Sequence, residues 1–285
     1  MHNPTEFTLE LSQLRLAAKA WGNPTHPPVL ALHGWLDNAA SFDRLVPLLK
    51  NAYVVAVDLP GHGLSDHRAS SPWYHYVDYL YDVLAIADTL GWPRFTLLGH
   101  SLGGAIASVL SAACPDRVEQ LILIEALGPL TAEPDQALAQ LYRALEQSRD
   151  SSIRPLRVFA DVEEAIAARV KVNGLTPGSA ETLVTRGLRA VPGGYSWSSD
   201  PRLMRASPLR YTEAEILTIL KGIQAAVLLI LATPAAPFLS PELMKARISA
   251  VSDIQTIYLS GNHHLHLEDP EPIANAINEF RCLSP

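Results

Sequence analysis

The stretch Phe95-Thr96-Leu97-Leu98-Gly99-His100-Ser101-Leu102-Gly103-Gly104-Ala105-Ile106-Ala107 decides how this chain is read. Its first four residues form a near-continuous apolar run, the pattern of a strand covered on both faces. Its last residues are small, which lets a helix pack close against a sheet. Between them stands Gly-x-Ser-x-Gly, centred on Ser101. A serine on a strand–turn–helix junction is a nucleophile elbow. The flanking glycines are needed there because side chains would clash with the neighbouring strand and helix, and the turn holds its serine in a strained conformation. The turn lifts Ser101 Oγ clear of the sheet, at a helix N-terminus whose dipole favours developing negative charge. A chance glycine turn carries the same five letters but not this context.

Working outward, similar apolar runs recur at Val29–Leu32, Tyr53–Val57, Leu121–Ile124, Val227–Leu231 and Thr256–Leu259. Helical periodicity fills the intervals: Tyr76, Leu80, Val83, Ala87 and Leu90 recur at spacings of three and four, before Gly91 and Pro93 stop the helix. Strand–helix alternation predicts an α/β fold with a mostly parallel central sheet and helices on both faces. Residues 6–21 alternate in the strand sense and predict an opening antiparallel hairpin turning near Ser12-Gln13. The alternation lapses over 126–211, which reads as helical. Leu138, Leu141 and Leu145 lie on one stripe there, and Val162, Ile166 and Val170 on another. Asp161 with Glu164 and Thr212 with Glu215 are capping-box signals, and Pro192–Pro208 reads as a loop. The predicted organisation is a discontinuous core, 1–125 and 212–285, interrupted by an inserted helical cap, 126–211.

Composition narrows the function. A chain of 285 residues buries about 75% of its unfolded surface, so neither disulfides nor metal are needed to hold a core. The 22 Lys and Arg against 29 Asp and Glu leave a net charge of −7. Non-specific nucleic-acid binding needs clustered cations to displace phosphate counterions, and here Lys and Arg never run longer than a pair. The longest apolar run, Ala225–Ala232, has eight residues, far short of the ~20 a membrane span requires. Met1–Glu6 lacks the basic and apolar regions of a signal peptide. Cys114 and Cys282 suggest no disulfide framework. The reading is a cytoplasmic protein with no nucleic-acid partner and no membrane insertion.

A serine hydroxyl needs a base. After the last apolar run the chain reads Ser260-Gly261-Asn262-His263-His264-Leu265-His266-Leu267-Glu268. Three histidines in four residues invite a metal reading, but the known ligand spacings do not fit. With His33-Gly34-Trp35, Asp58-Leu59-Pro60-Gly61-His62-Gly63-Leu64-Ser65-Asp66 and Ser101's turn, this segment completes four motifs in one order. Together they resemble the α/β-hydrolase-fold serine hydrolases over nearly all of the chain. Gly194–Trp197, Asp200–Leu203 and Ser207–Arg210 further resemble the serine hydrolase-like subgroup. The resemblance implies His263 as base, rather than His264 or His266. It also implies an oxyanion hole from the backbone amides of Trp35 and Leu102, with the Trp35 indole lining a pocket. His266 reads as structural, and His264 as pocket-lining or merely exposed. His33 and His62 read as loop braces, Asp58 as structural, and Asp37 and Asn38 as bordering the oxyanion loop.

The third member departs from the family pattern. After Val227–Leu231 the family places an Asp, whereas this chain reads Ala232-Thr233-Pro234-Ala235-Ala236-Pro237, with no acid until Glu242. Either the triad is broken or the carboxylate has moved. Some relatives carry the acid one strand earlier, and here Glu125 follows Leu121–Ile124 directly. Carboxyl ends of strands are where open α/β sheets present ligands and catalytic groups, and a carboxylate there can fix the tautomer of a catalytic histidine. An ordinary hinge residue ion-paired to a cap arginine is the alternative. The expected function is a serine hydrolase without cofactor or metal, cleaving ester-like bonds of a small, hydrophobic small-molecule substrate through an acyl-enzyme. Tyr142, Tyr195 and Trp197 hint at an apolar pocket or at cap core. The rival reading, kept open by the missing late acid, is a weakly catalytic or non-catalytic ligand-binding protein on the same fold.

Overall fold

A computed structural model describes residues 4–69, 71–149 and 156–283. Strands β1 (Thr5–Glu10) and β2 (Arg15–Trp21) form the opening antiparallel hairpin, with Glu10 opposite Arg15. There follow β3 (Pro28–Leu32), β4 (Tyr53–Val57), helix α1 (Tyr76–Thr89), β5 (Phe95–His100), α2 (Leu102–Ala113) and β6 (Val118–Ile124). Next come α3 (Ala137–Arg149), β7 (Val158–Phe159), α4 (Val162–Asn173), α5 (Pro177–Gly187), β8 (Leu188–Val191) and β9 (Gly194–Trp197). The alternation then resumes with α6 (Glu213–Leu220), β10 (Ala226–Thr233), α7 (Pro241–Ala250), β11 (Ile254–Ser260), α8 (Leu265–Glu268) and α9 (Pro270–Leu283).

The large sheet has the order β1-β2-β4-β3-β5-β6-β10-β11. All pairings from β4 through β11 are parallel; only the β1–β2 and β2–β4 pairs are antiparallel. The strand order reverses between β3 and β5, the kind of switch point where such sheets open a crevice beyond their carboxyl ends.

Successive strand residues point to opposite faces, and both faces are apolar. Leu30, Leu32, Leu97, Leu121, Leu123 and Leu229 pack with α1, α2 and α6 residues such as Val83, Ile106 and Ile216. Their neighbours Val29, Ala31, Leu98, Ile122, Ile124 and Ile230 pack on the other face against Phe42 and α9 residues Ile273, Ile277 and Phe280. This double burial explains why the strands read as unbroken apolar runs. Each fully buried Leu, Ile or Val contributes about 1.5–3 kcal/mol.

Residues 126–211 depart from the sequence reading in three ways. Besides helices, the described residues of this span hold a small antiparallel sheet, β7-β9-β8, so part of the segment expected to be loop, Pro192–Pro208, is strand. The α3 stripe points outward, with Leu138 and Leu145 exposed and Ala144 the buried residue. At Asp161 the side chain accepts from Glu164 N, but Glu164 reaches back to Ala160 N instead. The Thr212–Glu215 box closes in both directions. Among the described residues no helix is long and apolar enough to cross a membrane.

Candidate active site

Ser101 occupies the turn between β5 and α2 at φ 51° and ψ −113°, a region that a residue with a Cβ enters at a cost of about 1–3 kcal/mol. The neighbours enforce it. Ser101 N donates to Ile124 O at 3.0 Å, while Ala105 N donates to Ser101 O at 2.9 Å. A Cβ on Gly103 would lie 2.0 Å from Leu32 O, and one on Gly99 would lie 2.5 Å from Gly103 O. The glycines are therefore where helix and strand touch.

Three residues from three strand ends meet here. His263 lies two residues beyond Gly261, which starts the turn after β11, and its Nε2 stands 2.8 Å from Ser101 Oγ. On the other side of the ring, Nδ1 stands 3.1 Å from Glu125 Oε2. Glu125 directly follows β6, is buried at 1% exposure, and has φ 57°. Its backbone N donates to Ile230 O, and its second carboxylate oxygen accepts from Ala232 N at 2.5 Å. No arginine is among these partners. The carboxylate is thus pinned to the end of β10, beside the acid-free segment Ala232–Pro237.

The loop of His33, Gly34 and Trp35 sits against the elbow, with Gly103 N donating to His33 O at 3.1 Å. Among the described residues neither the Trp35 amide nor the Leu102 amide donates to a protein acceptor. The Trp35 indole is half exposed and donates to Leu203 O at 3.3 Å, bringing it under the 201–204 turn. Phe238, which no sequence pattern marked, stands edge-to-face on the His263 ring at 4.9 Å between centroids. Trp197 instead packs on Phe159 within a small apolar cluster, and Tyr142 is exposed.

The histidines around the site, His33, His62, His100, His264 and His266, are buried. His33 Nδ1 donates to Gly34 O and its Nε2 accepts from Leu59 N. Burial pushes its pKa down to about 4, so the ring braces the loop as a neutral imidazole. His62 Nδ1 bonds Pro60 O, and burial, with His33 nearby, lowers its pKa to about 3. His266 Nε2 bonds Ser41 Oγ at 2.8 Å. His264 is buried rather than exposed, with Nε2 3.3 Å from Asp37 Oδ2. Asp58 accepts from Ala39 N, Leu64 N and the buried Arg186 guanidinium. Asn38 caps a short 3-10 helix and donates to Leu183 O. Among the described residues no group of three or more His, Cys, Asp or Glu is arranged to hold a metal ion.

A serine at a glycine elbow, hydrogen-bonded through histidine to a buried carboxylate, is arranged for proton transfer away from the serine. Residues 27–153 match the α/β-hydrolase-fold family model. A serine hydrolase-like protein of Dictyostelium discoideum is 34% identical over 281 residues, covering 93% of this chain and 78% of that one. The chain belongs to the serine hydrolase-like α/β hydrolases. Two solved structures extend the family likeness to the whole fold. A hypothetical protein of Pseudomonas aeruginosa PAO1 is 40% identical, with a TM-score of 0.93 and 99% of both chains covered. A thioesterase domain from the curacin biosynthetic pathway is 28% identical, with a TM-score of 0.86, covering 97% of this chain and 99% of that one. This α/β hydrolase therefore carries the family's motifs on the family's architecture.

Proposed function

We propose that this hydrolase cleaves ester-like bonds of a small, hydrophobic substrate with Ser101 as nucleophile, His263 as base and Glu125 as the triad acid. The observation that carries the reading is the unbroken hydrogen-bond line from Ser101 Oγ through both His263 nitrogens to Glu125. His263 Nε2 takes the hydroxyl proton as Ser101 attacks the carbonyl carbon. The new alkoxide is received by the Trp35 and Leu102 amides, whose donors are worth most where water is excluded. His263 then gives its proton to the leaving oxygen or sulfur, and an acyl-serine forms. Water enters, His263 takes its proton, and collapse of the second tetrahedral intermediate returns the serine. Glu125 holds Nδ1–H and stabilises the transient imidazolium.

The rival reading, a ligand-binding protein without turnover, drew its support from the missing acid after β10. Glu125 beside His263 takes that support away. Thioesters join oxyesters in the proposed class because the thioesterase domain shares the fold at 28% identity. Phe238 and the half-exposed Trp35 supply apolar surface beside the serine. Residues 126–211 are read as the cap that selects substrate, since the Leu203 carbonyl accepts from the Trp35 indole N–H.

The test is a panel of short p-nitrophenyl esters and acyl thioesters, with fluorophosphonate labelling of Ser101. Turnover and labelling in the wild type, both lost in Ser101→Ala, are expected. Folded wild-type protein that neither labels nor turns over any member would overturn the proposal.

A further inference from the structure

The Asp37 carboxylate is almost fully buried. Four segments converge on it, three of them from the site itself. Its backbone N donates to Gly34 O, closing the turn that carries Trp35. Leu36, inside that turn, sits at φ 61°, where a side chain is strained, so the turn needs an external hold. Asp37 Oδ2 lies 3.3 Å from His264 Nε2, the residue after the base. The same oxygen lies 3.7 Å from Nδ1 of His100, the residue before the nucleophile. His100 Nε2 in turn donates to the His263 carbonyl at 2.8 Å, and the His100 and His263 rings are 4.9 Å apart. Asp37 Oδ1 accepts from the Arg169 guanidinium of α4. Gly34 leaves room for this packing: a Cβ there would fall 2.9 Å from His100 Nδ1 and 3.0 Å from Asp37 Oδ2.

The geometry points to Asp37 as a positioning residue for the reaction, holding the oxyanion turn and the base loop in register and tying them to Arg169 of the 126–211 segment. This inference rests on the serine-hydrolase reading. The charge pattern agrees with it. Burial pushes the Asp37 carboxyl up, but His264 and Arg169 together outweigh burial and hold it well below the usual carboxylate range. An ionised carboxylate, unlike an amide of the same shape, can hold a guanidinium and an imidazole at once. His100, deprotonated by burial and by its three neighbouring histidines, donates from Nε2 to a carbonyl, which orients the base loop from below.

The experiment is Asp37→Asn, with kcat and KM read separately, alongside the rate of Ser101 labelling per folded molecule. The expected outcome is a kcat lowered about 20-fold or more, a KM within about 3-fold of wild type, and labelling slowed in parallel with kcat, as misplacement of reacting groups produces. A kcat within 2-fold of wild type, or a loss that disappears once corrected for the folded fraction, would overturn the inference. Arg169→Gln reads the same carboxylate from the cap side if Asp37→Asn does not fold, with kcat expected to fall about 5-fold. An unchanged kcat there counts against the inference equally. In the double variant the two losses are expected to combine to much less than their product, because the charges act as one pair; a full product would count against the inference. The His263 imidazole N–H resonance separates this idea from the hydrolase reading. A downfield Nδ1 proton present in wild type and weakened in Asp37→Asn supports positioning even if no ester is turned over. An unperturbed resonance would overturn it.

Discussion

Glu125 and His263 stand 138 positions apart in the chain, yet Glu125 Oε2 lies 3.1 Å from His263 Nδ1. The strand that Glu125 follows and the strand that leads into the acid-free segment are direct neighbours, with Ile124 paired to Ile230. Adjacent strands are about 4.8 Å apart, so an acid beyond β6 can reach the space an acid beyond β10 would fill. Glutamate, one methylene longer than aspartate, suits that longer reach. Ala232 N, at the end of β10, donates to the carboxylate.

Glu125→Gln is therefore expected to lower kcat by about 10³–10⁴, the scale of losing a triad carboxylate, while far-UV circular dichroism stays native. Near-normal turnover of a p-nitrophenyl ester would remove Glu125 from the mechanism.

Gly103→Ala would set a Cβ 2.0 Å from the Leu32 carbonyl oxygen, which belongs to a central strand and cannot retreat. The expected cost is about 3 kcal/mol, seen as a melting temperature lower by about 6–12 °C. Gly178→Ala, with nothing within 4 Å of its added carbon, is the matched control and is expected to be neutral or slightly stabilising. Equal melting of the two variants would contradict the close-contact account of the elbow.

Arg247 is buried in α7 and donates to the carbonyl oxygens of Leu127, Gly128 and Pro129, just after Glu125, while pairing with Glu213. Arg247→Met removes this donor from the three carbonyl oxygens and the cationic partner from Glu213, which keeps only Thr131 Oγ1 as a side-chain donor among the described residues. Urea titration should register a loss of about 3–5 kcal/mol; a change below about 1 kcal/mol would mean the clamp holds little.

Stability should fall on mild acidification. Burial lowers the pKa of His33 to about 4, and of His62 and His266 to about 3, against about 6.5 in an unfolded chain. Between those values the unfolded chain binds more protons than the folded one, so acid favours unfolding. Stability is full above about pH 6.5 and is lost as pH falls toward 4 for His33 and 3 for the other two. The slope is about 1.4 kcal/mol per group per pH unit. Melting temperatures measured from pH 8 to pH 4.5 should be flat at first and then drop steeply below about pH 6. A flat profile down to pH 5 would mean these rings protonate without unfolding.

Local patterns carried much of the fold. Apolar runs such as Leu121–Ile124 announced strands because both sheet faces are covered, a property written into consecutive residues. Ser101 between Gly99 and Gly103 announced the elbow because its contacts lie within a few positions. Less was legible over 126–211. There β9 is a short strand whose partners β7 and β8 supply its hydrogen bonds, and Gly194-Tyr195-Ser196-Trp197 carries no covered-strand run of its own. The outward α3 stripe was equally invisible, because periodicity reports that a helix has an apolar face and not what that face meets.

By itself, the sequence determined the sheet, the nucleophile turn and the short roster of acids and histidines from which a site could be drawn, because each depends on near neighbours in the chain. Only the tertiary structure decided which of them meet. It set Glu125 rather than Glu242 beside His263, turned His264 inward to Asp37, and laid Phe238 across the His263 ring. Those choices depend on which strand ends lie side by side and on which carboxylate is buried, and no local spacing encodes either.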